Sequence, residues 1–284
     1  MAKKAQESAK CIYCKNLGVT KEHIISDWIS KDFDDGKKEY YIKPWKQDPA
    51  NPKQYMFAPL KVKQGRIGQI TLRRVCETCN SGWMKTIVDE SIHIVKALIH
   101  QEKFTLTADD KRKIGAWAVL SCIHLDYYLS YKNPVNLRAI SQVDLDFIFN
   151  NHFPSDKFEV WISRSEDPEF SKNLFGQATC LRLAGSTDQI FNSFDFTMSI
   201  RQVIFFVRYN NTQYPSPADL DMIMHKFTLV WPNSENDVAY PNDKVLNKEE
   251  TNIFFARMNA ERAQLRQYSD AASNLRSIID KMGF

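Results

Sequence analysis

Residues 75–84 read Val75-Cys76-Glu77-Thr78-Cys79-Asn80-Ser81-Gly82-Trp83-Met84, a C-x2-C turn that runs directly into a segment of helical periodicity. Just upstream, Gln69 to Val75 alternates apolar and polar side chains (Ile70, Leu72, then Val75 after Arg73-Arg74), the period of a half-buried strand. Downstream, Trp83, Ile87, Ile94 and Leu98 recur at helical spacing with Met84 and Val95 beside them. A strand therefore delivers two sulfurs and a helix leaves from them. Near the N-terminus Cys11-Ile12-Tyr13-Cys14 makes a second C-x2-C turn, which leads through Gly18 into a strand-like run, Val19 to Ile25, containing Lys21-Glu22-His23-Ile24-Ile25.

Each C-x2-C turn offers two thiolates from one tight bend, and two turns complete the tetrahedral set that Zn²⁺ prefers. Cys11, Cys14, Cys76 and Cys79 are thus read as ligands of one structural zinc, although Cys14 and Cys76 stand much further apart than the roughly 15–20 residues between the pairs of compact zinc ribbons. With four positions filled, such an ion has no open site for water and serves as a staple. Six cysteines in 284 residues are too few for a disulfide scaffold. Cys122 and Cys180 lie in apolar runs and read as buried thiols.

Glu22 and His23 follow the first turn and Asn80 follows the second, so a zinc that clamps both turns draws together groups nearly sixty residues apart. Hydrolysing a phosphodiester needs a base for water and a hard cation for the charge that develops on phosphorus and the leaving oxygen. Histidine suits the first task. A carboxylate and an amide oxygen suit the second, because Mg²⁺ takes oxygen ligands and keeps room for water and phosphate. Other readings of the same residues stay open: Glu22 and His23 as ordinary strand side chains, and Asn80 as the N-cap of the helix that follows.

These motifs, over residues 11–84, resemble the HNH endonuclease signature with embedded zinc knuckles, found in many bacterial and phage proteins. The resemblance implies a ββα-metal fold whose first strand carries an acid-His pair and whose helix carries a final His or Asn. Carried over, Glu22 is a ligand of a catalytic Mg²⁺ or Mn²⁺ where many members have Asp, His23 is the general base, and Asn80 is the second ligand of that ion. Two features depart from the pattern. The family's middle Asn has no counterpart between Ile70 and Val75, so a backbone carbonyl is expected to orient the base instead. Many members also carry a His at the position of Met84. A non-catalytic zinc-knuckle module that binds nucleic acid is therefore the alternative, as is an effector that acts only with a partner. HNH proteins of this type often serve in phage defence or mobile elements.

Charge supports a polyanionic partner, and the resemblance implies DNA ahead of RNA. Residues 1–80 carry 16 Lys and Arg against 9 Asp and Glu, whereas the other 204 residues carry 22 against 25. Lys61, Lys63, Arg66, Arg73 and Arg74 are candidates to hold a phosphate backbone, with Lys85 nearby; a solvated charged hairpin is the competing reading. Arg73 and Arg74 are consecutive on a strand and point to opposite faces. His93, at about 1.5 Å per residue, lies ~20 Å along the helix from Asn80 and cannot share its ion. His100, His124, His152 and His225 lack partner motifs and read as core or surface residues.

Residues 1–103 are read as the ββα-metal nuclease domain with its four-cysteine zinc site, and 104–284 as a mixed helix and antiparallel-sheet domain of sensing, specificity or partner-docking type, so the fold class is α+β. The segment 31–66 is expected to be loop with short pieces of structure. Thr107-x-x-Asp110 is a capping box opening a helix from Ala108 to about Ser130, with Ile114, Trp117, Leu120 and Ile123 facing the core. Runs at 158–163, 177–184, 197–208 and 225–231 are expected strands. From Asn247, with Glu250 three residues on, a long C-terminal helix follows, packed on its own domain or on a second copy as a homodimer. No stretch approaches the eighteen or so apolar residues of a membrane span, and residues 1–10 lack an apolar signal core, so a cytoplasmic protein is expected.

Overall fold

The computed structural model describes residues 9–33, 39–42, 45–47, 55–57, 61–64, 70–132, 138–167, 174–181, 193–210, 223–232 and 236–255. The chain is α+β. β1 (Val19–His23) leads into α1 (Asp27–Phe33), and β2 (Glu39–Ile42), β3 (Trp45–Gln47), β4 (Tyr55–Phe57) and β5 (Lys61–Gln64) follow, β2 pairing with β5 and β3 with β4 as nested antiparallel ladders. The segment 31–66, expected to be loop with short pieces of structure, carries the last residues of α1 and four short strands. β6 (Thr71–Cys76) then returns antiparallel to β1, with Val19 opposite Cys76 and His23 opposite Thr71.

After β6 come α2 (Glu77–Cys79), a π-type turn over Asn80–Met84 and α3 (Lys85–His100). A single helix was expected here, and the structure interrupts it at Gly82 (φ −92°, ψ −119°). α3 buries Ile87, Ser91, Ile94, Val95 and Leu98 along one stripe. It stops at Gln101, which turns left-handed (φ +57°) so that its N–H reaches the carbonyls of Ala97 and Leu98. The Tyr240 hydroxyl, donating to Leu98 O at 3.1 Å, and the Gln202 side-chain amide, donating to Ile99 O, satisfy further carbonyls of the last turn.

β7 (Phe104–Leu106) precedes α4 (Ala108–Lys132), whose start is the expected capping box: Thr107 N–H donates to the Asp110 carboxylate at 3.0 Å and Asp110 N–H to Thr107 Oγ1 at 3.2 Å. Ile114 through His124 are all buried, so α4 is enclosed on every side rather than on one face. Gly115 permits this: a Cβ there would stand 3.0 Å from Trp231 Cβ. α5 (Gln142–Asn151) is followed by β8 (Phe158–Ser165), β9 (Leu174–Leu181), β10 (Ser193–Ile200), β11 (Val203–Asn210), β12 (Thr228–Trp231), β13 (Val238–Tyr240) and β14 (Val245–Leu246). The main sheet runs β12-β8-β11-β10-β9, antiparallel throughout, with β14 parallel beside β8; β13 pairs with β7. The run expected as one strand over 197–208 is a hairpin, β10 and β11, turning at Arg201 in positive φ (51°).

One face of β11 (Phe205, Val207, Tyr209) belongs to a core that also holds α4, α3 and the residues around the cysteines; the other (Ile204, Phe206) packs with Phe227, Leu246 and Phe254. Burial on both faces explains why β11 reads as an unbroken apolar run. Asn247 and Glu250 exchange the expected capping bonds, both at 2.9 Å, and 248–255 are helical. The rest of the tail, with its proposed seam, lies outside the described residues. Among the described residues no helix is long and apolar enough to cross a membrane.

The buried Asp144 carboxylate, near the start of α5, ties these layers together. It accepts from Ser141 Oγ (2.5 Å), Tyr209 Oη (2.7 Å), Ser155 Oγ (2.8 Å) and Lys157 Nζ (3.2 Å). Burial opposes its charge, but these donors outweigh that and hold its pKa below the ordinary value. Asp144→Ala strands several buried donors and is expected to cost about 2–4 kcal/mol in denaturant titration. Because the folded pKa is depressed, the stabilisation is complete above the unfolded value of about 3.9 and drains away as pH falls through the folded one. The stability difference between parent and variant should therefore shrink as pH falls below the unfolded value of about 3.9, and a difference that stays constant would dismiss the charge-based account.

Candidate metal centre and adjoining site

The first cysteine turn is built by its backbone: Lys15 N–H bonds Cys11 O at 3.2 Å, and Cys11 N–H bonds Asn16 O at 2.8 Å, with Lys15 in positive φ (64°) closing the bend. Ile12 N–H donates to Arg74 O at 2.8 Å, which fastens this turn to β6 beside the second one. Gly18 (φ +83°) then redirects the chain into β1. The ladder's register, Val19 opposite Cys76, makes the two turns neighbours.

The result is a four-cysteine cluster: the sulfurs of Cys11, Cys14, Cys76 and Cys79 all lie within 4.8 Å of one another. A tetrahedral ion with bonds of about 2.3 Å sets its ligands about 3.8 Å apart, so the cluster fits a metal such as zinc. Cys14 and Cys76 sulfurs are 3.3 Å apart, far beyond a bond of about 2.05 Å, and the cysteines are free thiols. Burial pushes the Cys14 and Cys79 thiols up, whereas at Cys76 burial is outweighed by hydrogen bonds from the Cys79 backbone and the neighbouring sulfurs, which pull the thiol down. A shared cation would resolve the opposed preferences of four crowded thiols, since thiolates are the ligating form.

Directly beside the cluster, the Glu22 and Asn80 side chains are hydrogen-bonded to each other. Burial pushes the Glu22 carboxyl up to about 7, against the Asn80 bond, and the nearby Glu77 carboxylate adds to the rise. Asn80 is not the helix N-cap that its position suggested. Cys76 holds the N-cap place, and Asn80 has helical φ/ψ (−65°, −52°) within the continuing turns, which leaves its amide available to Glu22. His23 is half-buried, and since Glu22 lies opposite Leu72 and His23 opposite Thr71, the two side chains leave opposite faces of β1. Asp27, four residues on, is held below its usual range by Lys31 first, with the nearby His23 charge contributing. The acidic neighbour of His23 thus comes from the first turn of α1, a placement only the fold reveals.

The remaining candidates divide. Arg73 is exposed and Arg74 half-buried on β6, in keeping with opposite faces. Lys85 is exposed and paired with Asp89 one turn along α3. Lys61 and Lys63 fall on β5, but their side chains, and Arg66 altogether, lie outside the described residues. Met84 is core at 2 % exposure and Trp83 packs against it. His93, His100 and His225 are exposed, and His152 is stacked on Trp83 at 5.4 Å and 6°. Cys122 is fully buried, which raises its pKa.

His124 is the residue that local sequence could not find. Buried in α4 more than a hundred positions from the first cysteines, its Nε2 lies 3.3 Å from the Tyr13 hydroxyl and its ring hydrogen-bonds the His23 backbone carbonyl.

A chain purified from a reducing host is expected to carry close to one equivalent of zinc by elemental analysis. Cys76→Ser or Cys79→Ser should lose the metal together with a large part of the thermal stability, and Trp83 fluorescence should report the change. A metal-free preparation as stable as the loaded one would dismiss the staple.

No family model matches the chain, and neither a curated protein nor a solved structure matches it.

Proposed function

We propose that the chain is a metal-dependent endonuclease of the HNH type, hydrolysing phosphodiester bonds in DNA ahead of RNA. The observation that carries this reading is the contact between Glu22 and Asn80. These are side chains nearly sixty residues apart that meet beside a four-cysteine cluster on the elements ordered strand, strand, helix. The cluster would hold a structural zinc. Glu22 and Asn80 would hold a Mg²⁺ or Mn²⁺, which would neutralise the charge developing on the phosphorane and the leaving oxygen.

His23 takes the proton from water as the water oxygen bonds to phosphorus and the bond to the leaving oxygen breaks. Asn80 and Glu22 fix each other's orientation before any substrate arrives, and such preorganisation is where much of the rate comes from. Arg73, exposed on β6, is placed to meet a phosphate backbone without reading its sequence. Sequence choice, partner docking or sensing falls to residues 104–284, and the setting we favour is a cytoplasmic one, in phage defence or a mobile element. Two observations favour a non-catalytic nucleic-acid-binding module instead: Met84 is sealed in the core, so the helix supplies no ligand one turn beyond Asn80, and His23 leaves β1 on the face opposite to Glu22.

Zinc-loaded protein with Mg²⁺ or Mn²⁺ should cut plasmid or single-stranded DNA. His23→Ala should reduce the rate by at least about 100-fold with zinc content and melting temperature unchanged. Glu22→Ala and Asn80→Ala should raise the Mn²⁺ concentration needed for cutting. Full cutting by His23→Ala refutes the base assignment, and metal-tight DNA binding without any cutting selects the binding module.

A further inference from the structure

The residues from Ile70 to Val75, on the strand that pairs with the one carrying the proposed base, include no Asn. Steadying contacts come instead from α4. The His124 ring bonds the carbonyl oxygen of His23, which can only accept, so the ring nitrogen facing it carries the proton. In a neutral ring the other nitrogen accepts, and Tyr13 Oη, 3.3 Å from Nε2, donates to it. Burial keeps the ring neutral by pushing its pKa down to about 4, so this donor and acceptor order persists near neutral pH.

The other end of the relay is also held. Tyr13 lies between Cys11 and Cys14 and meets Trp83 edge-on (5.1 Å, 89°). A second α4 side chain, Trp117, donates from Nε1 to Ser26 Oγ at 3.1 Å, three residues beyond His23.

We propose that His124 is a positioning residue: through the His23 peptide, and with Tyr13 as its own anchor, α4 sets where the His23 imidazole stands. This rests on reading His23 as the base, and it makes the helix that follows the zinc-knuckle unit a working wall of the site. It also couples the first cysteine turn to the base through Tyr13, which stands between Cys11 and Cys14, and His124, a path that does not pass through Glu22 or Asn80.

The test uses the full zinc-loaded chain with Mn²⁺ and supercoiled plasmid. His124→Leu is expected to slow single-turnover cutting by roughly 10- to 100-fold, with plasmid affinity and zinc content at parent levels. His124→Gln, whose amide can donate to the carbonyl and accept from Tyr13, should recover most of the rate, and Tyr13→Phe should lose severalfold. In ¹H–¹⁵N spectra of the imidazoles, His23 should shift or broaden in His124→Leu while the exposed His93 and His225 stay put. Parent-rate cutting by His124→Leu, failure of His124→Gln to recover, or zinc loss that accounts for the slowing overturns the proposal. The spectra separate the two claims: unmoved His23 signals reject the positioning even if the parent cuts, whereas a parent that does not cut removes the base assignment and leaves the anchoring to be judged by the shifts.

Discussion

Four sulfurs drawn from two distant turns must converge within a few ångströms, and the neighbouring geometry follows from that convergence. Once Cys11 and Cys14 meet Cys76 and Cys79, the register of β1 on β6 is pinned at Val19 and Cys76, and Glu22 is carried to the helix turn that bears Asn80. Thiolates crowded this closely would repel one another, and a cation at their centre would offset that repulsion. Coordination would then add to burial as a source of cohesion, which suits a unit built around a two-stranded ladder, an element too small to be stable by itself.

The hydrophobic core supplies what the cysteines cannot. α4 is buried on all sides, touching α3 on one flank and the main sheet on another, and the same continuous core includes Cys11, Tyr13 and Val75. A displacement of α4 would therefore be felt by the β1–β6 ladder through side chains in direct contact. His124 and Trp117 add directional bonds to that packing, which fix orientation where apolar contact fixes only distance.

Local signals were legible in the sequence and remote ones were not. Both C-x2-C turns, the Thr107-Asp110 box and the Asn247-Glu250 box depend on residues within a few positions of one another, so spacing suffices to read them. Ser141-x-x-Asp144, which opens α5, obeys the same rule: Asp144 N–H donates to Ser141 Oγ at 3.3 Å. The β10–β11 turn escaped because its positive-φ position is occupied by Arg201, not by the Gly or Asn that usually marks it. Asn80 looked like a cap because helix propensity and capping preference coincide there, whereas the helix begins three residues earlier at Glu77. The roles of His124 and Asp27 depend on which helices lie against β1, a tertiary fact that no periodicity encodes.

The nested ladders β2–β5 and β3–β4 leave between two strands whose ends are already tied together. Closing a flexible loop costs entropy that grows only with the logarithm of its length, about 0.6 kcal/mol for each doubling. With both feet anchored by sulfur and ladder, that excursion is energetically a free parameter. Its length and charge can therefore vary without disturbing the floor beneath.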